Sequence, residues 1–186
     1  VQSLGRPGGT LTGVTFFGGG QLGAKRFDLL HELVPGDKPV AFLMDSTWPA
    51  AAEELPEVEA AARALGRGLV VHRAATRSEI DAAFHRMSAA GVASVLVSGA
   101  PFFTSERRGI VALAASLRLP AIYDVRDFVD AGGLVSYAAS FTGAYRQAGV
   151  YTGRILQGAN PADLPVLQPT QLEMVINLRT ARSLGI

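Results

Sequence analysis

The polar side chains best placed to recognise a small molecule sit directly after apolar runs, where a chain would leave a strand. Asp45-Ser46-Thr47-Trp48 follows the apolar run Pro39 to Met44 and offers a carboxylate, two hydroxyls and an indole. Ser98-Gly-Ala-Pro101-Phe102-Phe103 follows Val92 to Val97. It could present backbone N–H groups to an anion, with Ser98, Pro101 or Phe102 lining a cleft and Phe103 turned to the core. Tyr123, Asp124 and Arg126 follow the run that begins at Pro120. Asp124 could accept an ammonium and Arg126 could fork a carboxylate, a pair that suits an amino acid or a related zwitterion. The plainer alternative is a surface pair of Arg126 with Asp127 or Asp130, which contributes little. Tyr137 stands just past the Gly132-Gly133 step.

Other chemistry is poorly served. Gly18, Gly19 and Gly20 lead to Gly23-Ala24-Lys25-Arg26, which is not a phosphate loop because Ala24 separates Gly from Lys and no Ser or Thr follows. A hinge is the better account of Gly18 to Gly20, with Gly132 and Gly133 as a second, since glycine absorbs backbone rotation at low steric cost. No G-x-S-x-G occurs, and we assign no catalytic residue and no cofactor. His31, His72 and His85 are not at i, i+4 spacing and there is no cysteine, so no metal site or disulfide is expected. His31 and His85 read as solvated helix positions, His72 as the end of a strand, and Glu53-Glu54 as part of a solvated helix face.

The elements that must position these residues alternate. Thr10 to Phe16 reads as a strand, Leu22, Arg26, Leu29, Leu30 and Leu33 as a helical stripe, and Pro39 to Met44 as a strand buried on both faces. Pro56 to Leu65 is the better helix in the next stretch, with Pro at its first position. Leu69 to His72 is a strand. Thr76 with Glu79 makes a capping box for a helix whose stripe is Ile80, Phe84 and Met87. Thr104 should cap a helix with Ile110, Leu113, Ala114 and Leu117 inside. Two more strands and a short helix over Asp127 to Ala131 lead to a long helix from Phe141 to Gln157. Its stripe is Tyr145, Ala148, Thr152, Ile155 and Leu156. A strand from Glu173 and a last helix capped by Asn177 end the chain. This alternation predicts an α/β fold with a doubly wound parallel sheet, and ligands in such sheets bind outside the carboxyl ends of the strands.

Composition agrees. Lys and Arg number 17 against 16 Asp and Glu, a net charge of +1, which gives no electrostatic case for nucleic acid. Apolar residues make up 48%, enough for a sizeable core, but no run approaches a membrane span. The start, Val1-Gln-Ser-Leu-Gly-Arg-Pro-Gly-Gly9, has no charged-then-apolar leader and no initiator Met, and reads as an interior piece of a longer polypeptide.

Arg6-Pro-Gly-Gly-Thr-Leu-Thr-Gly13, Leu22-Gly-Ala-Lys-Arg-Phe-Asp-Leu-Leu30, Val34-Pro-Gly36 and Ala60-Ala-Ala-Arg-Ala-Leu-Gly66 resemble, in order and spacing, a family of bacterial ABC-transporter substrate-binding proteins. So do Asp124-Val-Arg-Asp-Phe-Val-Asp-Ala-Gly-Gly-Leu-Val-Ser-Tyr137, Ala162-Asp-Leu-Pro-Val166 and Leu172 to Gly185. The resemblance implies the type I periplasmic-binding-protein fold, with a solute held between two lobes and delivered to an ABC permease. It implies that residues 18–138 are nearly all of the second lobe, that 1–17 and 140–166 are fragments of the first, and that 167–186 belong to a lobe left open. It also implies a periplasmic or other extracytoplasmic setting. With much of the first lobe absent, the apolar face of the helix from Phe141 would favour a homodimer or swapped dimer. The rival readings are the ligand-sensing domain of a transcriptional regulator or receptor, and a flavodoxin-like enzyme.

Overall fold

A computed structural model describes residues 3–15, 22–168 and 172–186. The chain divides into two compact units, Gly20–Ala138 with Met174–Ile186, and Val1–Gly19 with Ala139–Glu173.

The sheet has six strands: β1 (Val40–Asp45), β2 (Leu69–Ala74), β3 (Ser94–Val97), β4 (Ala121–Tyr123), β5 (Val135–Ala139) and β6 (Leu172–Ile176). Their order is β2-β1-β3-β4-β5-β6. β1 to β5 are parallel, with Val40 opposite both Leu69 and Ser94, Val95 opposite Ala121, and Ile122 opposite Val135. The Asn177 N–H donates to the Leu134 carbonyl at 2.8 Å, which sets the end of β6 beside the start of β5 and makes that edge antiparallel. Every residue of β1, β3 and β4 is buried, the reason these strands read as unbroken apolar runs.

Successive strand residues face opposite sides, so two cores form. On one side α1 (Leu22–Leu33), α2 (Pro49–Ala64) and α8 (Leu178–Leu184) bring Phe27, Leu30, Val58 and Ala181 onto Phe42, Leu96 and Ile122. On the other, α3 (Arg77–Ala89), α4 (Pro101–Ser105), α5 (Arg107–Ser116) and α6 (Arg126–Asp130) bring Phe84, Met87, Phe103, Ile110 and Phe128 onto Leu43, Val95, Val97 and Tyr123. Each fully buried Phe or Leu is worth about 1.5–3 kcal/mol relative to exposure. α3 starts as its sequence demands. The Thr76 hydroxyl accepts the Glu79 N–H at 3.3 Å, and the Glu79 carboxylate accepts the Ala75 N–H at 2.7 Å. At α8, Asn177 Oδ1 accepts the N–H groups of Arg179 and Thr180.

Several local expectations need correction. α2 begins at Pro49, not Pro56. Pro56 lies inside the helix on its exposed side, where water can satisfy the carbonyl that loses its N–H partner, while Ala51 and Val58, two turns apart, both pack inward. Thr104 caps nothing: it lies within α4 and its hydroxyl donates to the Ala100 carbonyl at 3.2 Å. His72 is buried at 6% exposure within β2, and burial lowers its pKa, with Arg86 adding to the effect.

In the smaller unit, the described part of Thr10 to Phe16 forms only an isolated parallel bridge, Val14 to Leu167. β-branched residues favour extended backbone, but a strand needs a hydrogen-bonded neighbour, and among the described residues only the segment around Leu167 supplies one. The Thr12 hydroxyl donates to the Leu164 carbonyl at 2.6 Å, and the Tyr151 hydroxyl to that of Pro165 at 2.8 Å. α7 (Phe141–Leu156) is capped by the Ser140 hydroxyl. Its packed face is Ala144, Ala148 and Tyr151, turned from the expected stripe, so Tyr145 is 68% and Leu156 82% exposed.

Candidate functional site

The strand order brings the carboxyl ends of β1, β3 and β4 side by side in the larger unit. Three polar atoms buried there have no hydrogen-bond partner among the described residues: Trp48 Nε1, Ser98 Oγ and Asp124 Oδ1. Alternation along β3 and β4 gives Ser98 the side of Leu96, and Asp124 the side of Ile122, so both point to the face covered by α1 and α2. Trp48 packs against both cores.

In the same unit lies a buried ion pair that the sequence did not single out. Arg26, 7% exposed on α1, donates from Nη1 to Glu54 Oε1 at 2.6 Å and from Nε to the Tyr137 carbonyl at 3.0 Å. The Gly99 backbone lies close enough to Glu54 on α2 to favour its charged form. Gly99 leaves room for the next carboxylate, since a Cβ there would stand 2.9 Å from Asp124 Oδ2. One arginine thus serves two acids. Burial raises the Glu54 carboxyl above its ordinary pKa, a rise that Arg26 opposes. Burial likewise pushes Asp124 up to about 7, with Arg26 opposing and Glu54 adding. Glu54 is therefore no solvated position: its side chain is 13% exposed. The legible signal was Arg26, a cation in the middle of an apolar helical stripe, which must have a buried partner.

The other candidates are placed as follows. Ser46 and Thr47 are exposed, and Thr47 folds back so that its N–H and hydroxyl both donate to Asp45 Oδ1, at 2.8 and 2.7 Å. Pro101 is exposed at the start of α4, and Phe102 packs half-buried against Phe103, ring centres 5.8 Å apart. Tyr123 turns away from Asp124 into the core, stacked on Phe128 at 4.5 Å, and burial pushes its phenol above the usual range. Arg126 is 63% exposed and pairs with Asp130 at 3.3 Å. Tyr137 is half-buried, and its backbone carbonyl is held by Arg26. Gly18, Gly19 and Gly20 lie outside the described residues. Gly132 has φ +107°, and Gly133 is hemmed in by Tyr123 and the Phe128 carbonyl, so close packing demands glycine there. Among the described residues no group of acids and histidines is arranged to hold a metal ion, and no helix is long and apolar enough to cross a membrane.

Comparison with known proteins adds the family. A family model described as ABC transporter substrate binding protein matches residues 1–186. No curated protein matches the chain. An ABC domain in complex with L-Trp from Streptococcus pneumoniae is similar over all of this chain and 63% of its own, at 26% identity and a TM-score of 0.84. A substrate-binding protein with adhesive properties from Clostridium difficile, solved ligand-free and open, shares 18% identity over all of this chain and 62% of its own, with a TM-score of 0.75. A probable maltose operon transcriptional repressor from Staphylococcus aureus covers 88% of this chain and 61% of its own, at 11% identity and a TM-score of 0.61, and so shares the fold alone. The chain thus spans less than two thirds of these relatives. With the type I periplasmic-binding-protein fold of these neighbours and a family match over its whole length, the chain belongs to the ABC transporter substrate-binding proteins.

Proposed function

We propose that this chain supplies part of the solute-binding cleft of an ABC importer's binding protein, and that the carboxyl edge of its sheet takes a small solute bearing an ammonium group, an amino acid being the first choice. The observation that carries this reading is a trio of buried polar atoms after three adjacent strands that have no partner among the described residues: Trp48 Nε1, Ser98 Oγ and Asp124 Oδ1. Buried polar groups normally have partners, and a ligand would supply the missing ones. The charges point the same way. Arg26 pairs with Glu54 and reaches Asp124 only through space, so an ammonium at Asp124 would balance the site. The L-Trp held by the Streptococcus pneumoniae neighbour supports an amino acid as ligand. Trp48 offers an indole donor and an apolar face at the same sheet edge for the rest of such a solute.

In this reading the larger unit is the second lobe, residues 1–17 and 140–166 belong to the first, and Gly18 to Gly20, where the units divide, serve as a hinge, whereas Gly132-Gly133 lies inside the larger unit and Gly133 is closely packed there. Closure on the solute is a population shift, which needs solute contacts from both lobes. The protein acts outside the cytoplasmic membrane, passes its solute to a permease and catalyses no reaction. A thermal-shift screen of amino acids tests the proposal. A true ligand at 100 times its Kd adds about 2.7 kcal/mol. That gain should vanish in Asp124→Asn. An unmoved melting point with every amino acid would sink the ligand class, and equal shifts in wild type and variant would remove Asp124 from the site.

A further inference from the structure

The amino edge of the same sheet holds a second, separate opening. A cavity of about 240 Å³ lies in the larger unit between the C-terminal half of α5, the approach to β5, and α8. Leu119 and Ala121 bring it to the amino end of β4, whereas Ser98 and Asp124 follow the carboxyl ends of β3 and β4. The cavity exists because the residues meeting there are small: Ala114 and Ala115 from α5, Ala121 from β4, and the Gly132-Gly133 step. Val111, Leu119, Leu134 and Leu184 make its walls apolar.

Its polar chemistry is one-sided. The Thr180 hydroxyl donates to the Gly132 carbonyl and the Ser183 hydroxyl to the Thr180 carbonyl, both at 2.8 Å, so neither proton is free for a ligand. Arg118 differs. Among the described residues it is the non-glycine with positive φ, +51°, a conformation L side chains rarely adopt. Its Nη2 donates to the Ser183 carbonyl at 2.8 Å, which holds the guanidinium at the cavity between α5 and α8. Its Nε and Nη1 make no hydrogen bond among the described residues. An apolar chamber with a fixed guanidinium in its lining suits an anion with a hydrocarbon body. The volume lies below the roughly 300 Å³ at which pockets for drug-sized ligands begin, so the ligand must be small.

We propose that this cavity is a second binding site, for a small apolar monocarboxylate. The carboxylate meets Arg118, and the hydrocarbon body lies against Val111, Leu119, Leu134 and Leu184. The proposal does not depend on which solute the other edge binds.

The test is an NMR titration of methyl-labelled protein with benzoate, and with benzylamine as a probe of equal size and opposite charge. Benzoate should give saturable shifts at Val111, Leu119 and Leu184 in the millimolar range expected for so few heavy atoms. Benzylamine should bind at least about tenfold more weakly there. Arg118→Gln, an exposed change that leaves the core intact, should weaken benzoate by about tenfold, the value of one charge-assisted hydrogen bond. Ala114→Leu should fill the chamber and abolish binding; if that variant does not fold, Arg118→Gln decides alone. The proposal is overturned by shifts that do not saturate, by equal binding of benzylamine, by full benzoate affinity in Arg118→Gln, or by shifts confined to the Ser98 and Asp124 region.

Discussion

Replacing Asp124 by Asn should make the unliganded protein more stable at neutral pH, although it removes a charged residue from the candidate site. In the folded protein burial holds the Asp124 carboxyl at about 7, against its ordinary 3.8. The sign follows from linkage. The neutral acid is the form the fold prefers, so its contribution is fully present below about pH 3.8 and is lost as pH rises through about 7. The gap between about 7 and 3.8, at about 1.36 kcal/mol per pH unit, is worth on the order of 4 kcal/mol at full ionisation. Asp124 is only half-buried, so solvent trims this, and we expect at least about 2 kcal/mol. Asn keeps the shape and carries no charge. The stability difference between Asp124→Asn and wild type should therefore open between pH 4 and 7 and level off above pH 8. At the full figure this is about 10 °C in Tm for a chain of this size. Thermal melts of both proteins from pH 4 to 9 read it directly, and other titrating groups cancel in the difference. A difference that stays constant with pH would refute the reasoning. So would a variant less stable at pH 8, which would mean that Arg26 fully compensates an ionised Asp124. A saturating cationic solute should shrink or reverse the gap by supplying the missing charge to wild type alone.

Gly133→Ala should cost about 1–3 kcal/mol in chemical denaturation, because its Cβ would stand 2.6 Å from Tyr123 Cε2 and 2.8 Å from the Phe128 carbonyl oxygen, and the backbone there cannot yield cheaply. Asn177→Ala should cost about 0.5–2 kcal/mol, since one side-chain oxygen caps two N–H groups of α8, with faster amide exchange confined to residues 178–181. Arg126→Ala should change stability by no more than about 0.5 kcal/mol, because its pair with Asp130 is exposed on both sides; a larger loss would show a buried partner.

Much of the frame was legible because it rests on local physics. Continuous apolar runs at 40–44, 95–97 and 121–123 are strands buried on both faces, and no neighbour is needed to see that. Thr76 with Glu79, and Asn177, start helices by bonds that span three residues or fewer. The carboxyl-edge rule pointed to whole loops, and so to Ser46, Thr47, Pro101, Phe102, Tyr123, Arg126 and Tyr137 as well as to Trp48, Ser98 and Asp124; it did not separate them. Local rules failed where a side chain had two lawful uses. Pro56 reads as a helix start but sits inside α2, because the helix's buried stripe outweighs one lost hydrogen bond. Arg126 could be read as a ligand contact or as a surface partner of Asp127 or Asp130, and on the exposed turn of α6 it pairs with Asp130.

The sequence by itself determined the alternation of elements, the two faces of the sheet and the edge at which polar residues gather, since each depends on the periodicity of neighbouring residues. Tertiary structure alone decided which of those residues share an environment. Arg26 and Glu54 are 28 positions apart, and only the packing of α1 on α2 makes them a pair. Tyr123 and Asp124 are adjacent, yet strand alternation sends one into the core and leaves the other beside Gly99. The cavity at Arg118 is likewise invisible in one dimension, because it is made by small residues of three separate segments meeting in space. Distance along the chain carries no information about burial or charge balance, and those two quantities set the chemistry of the site.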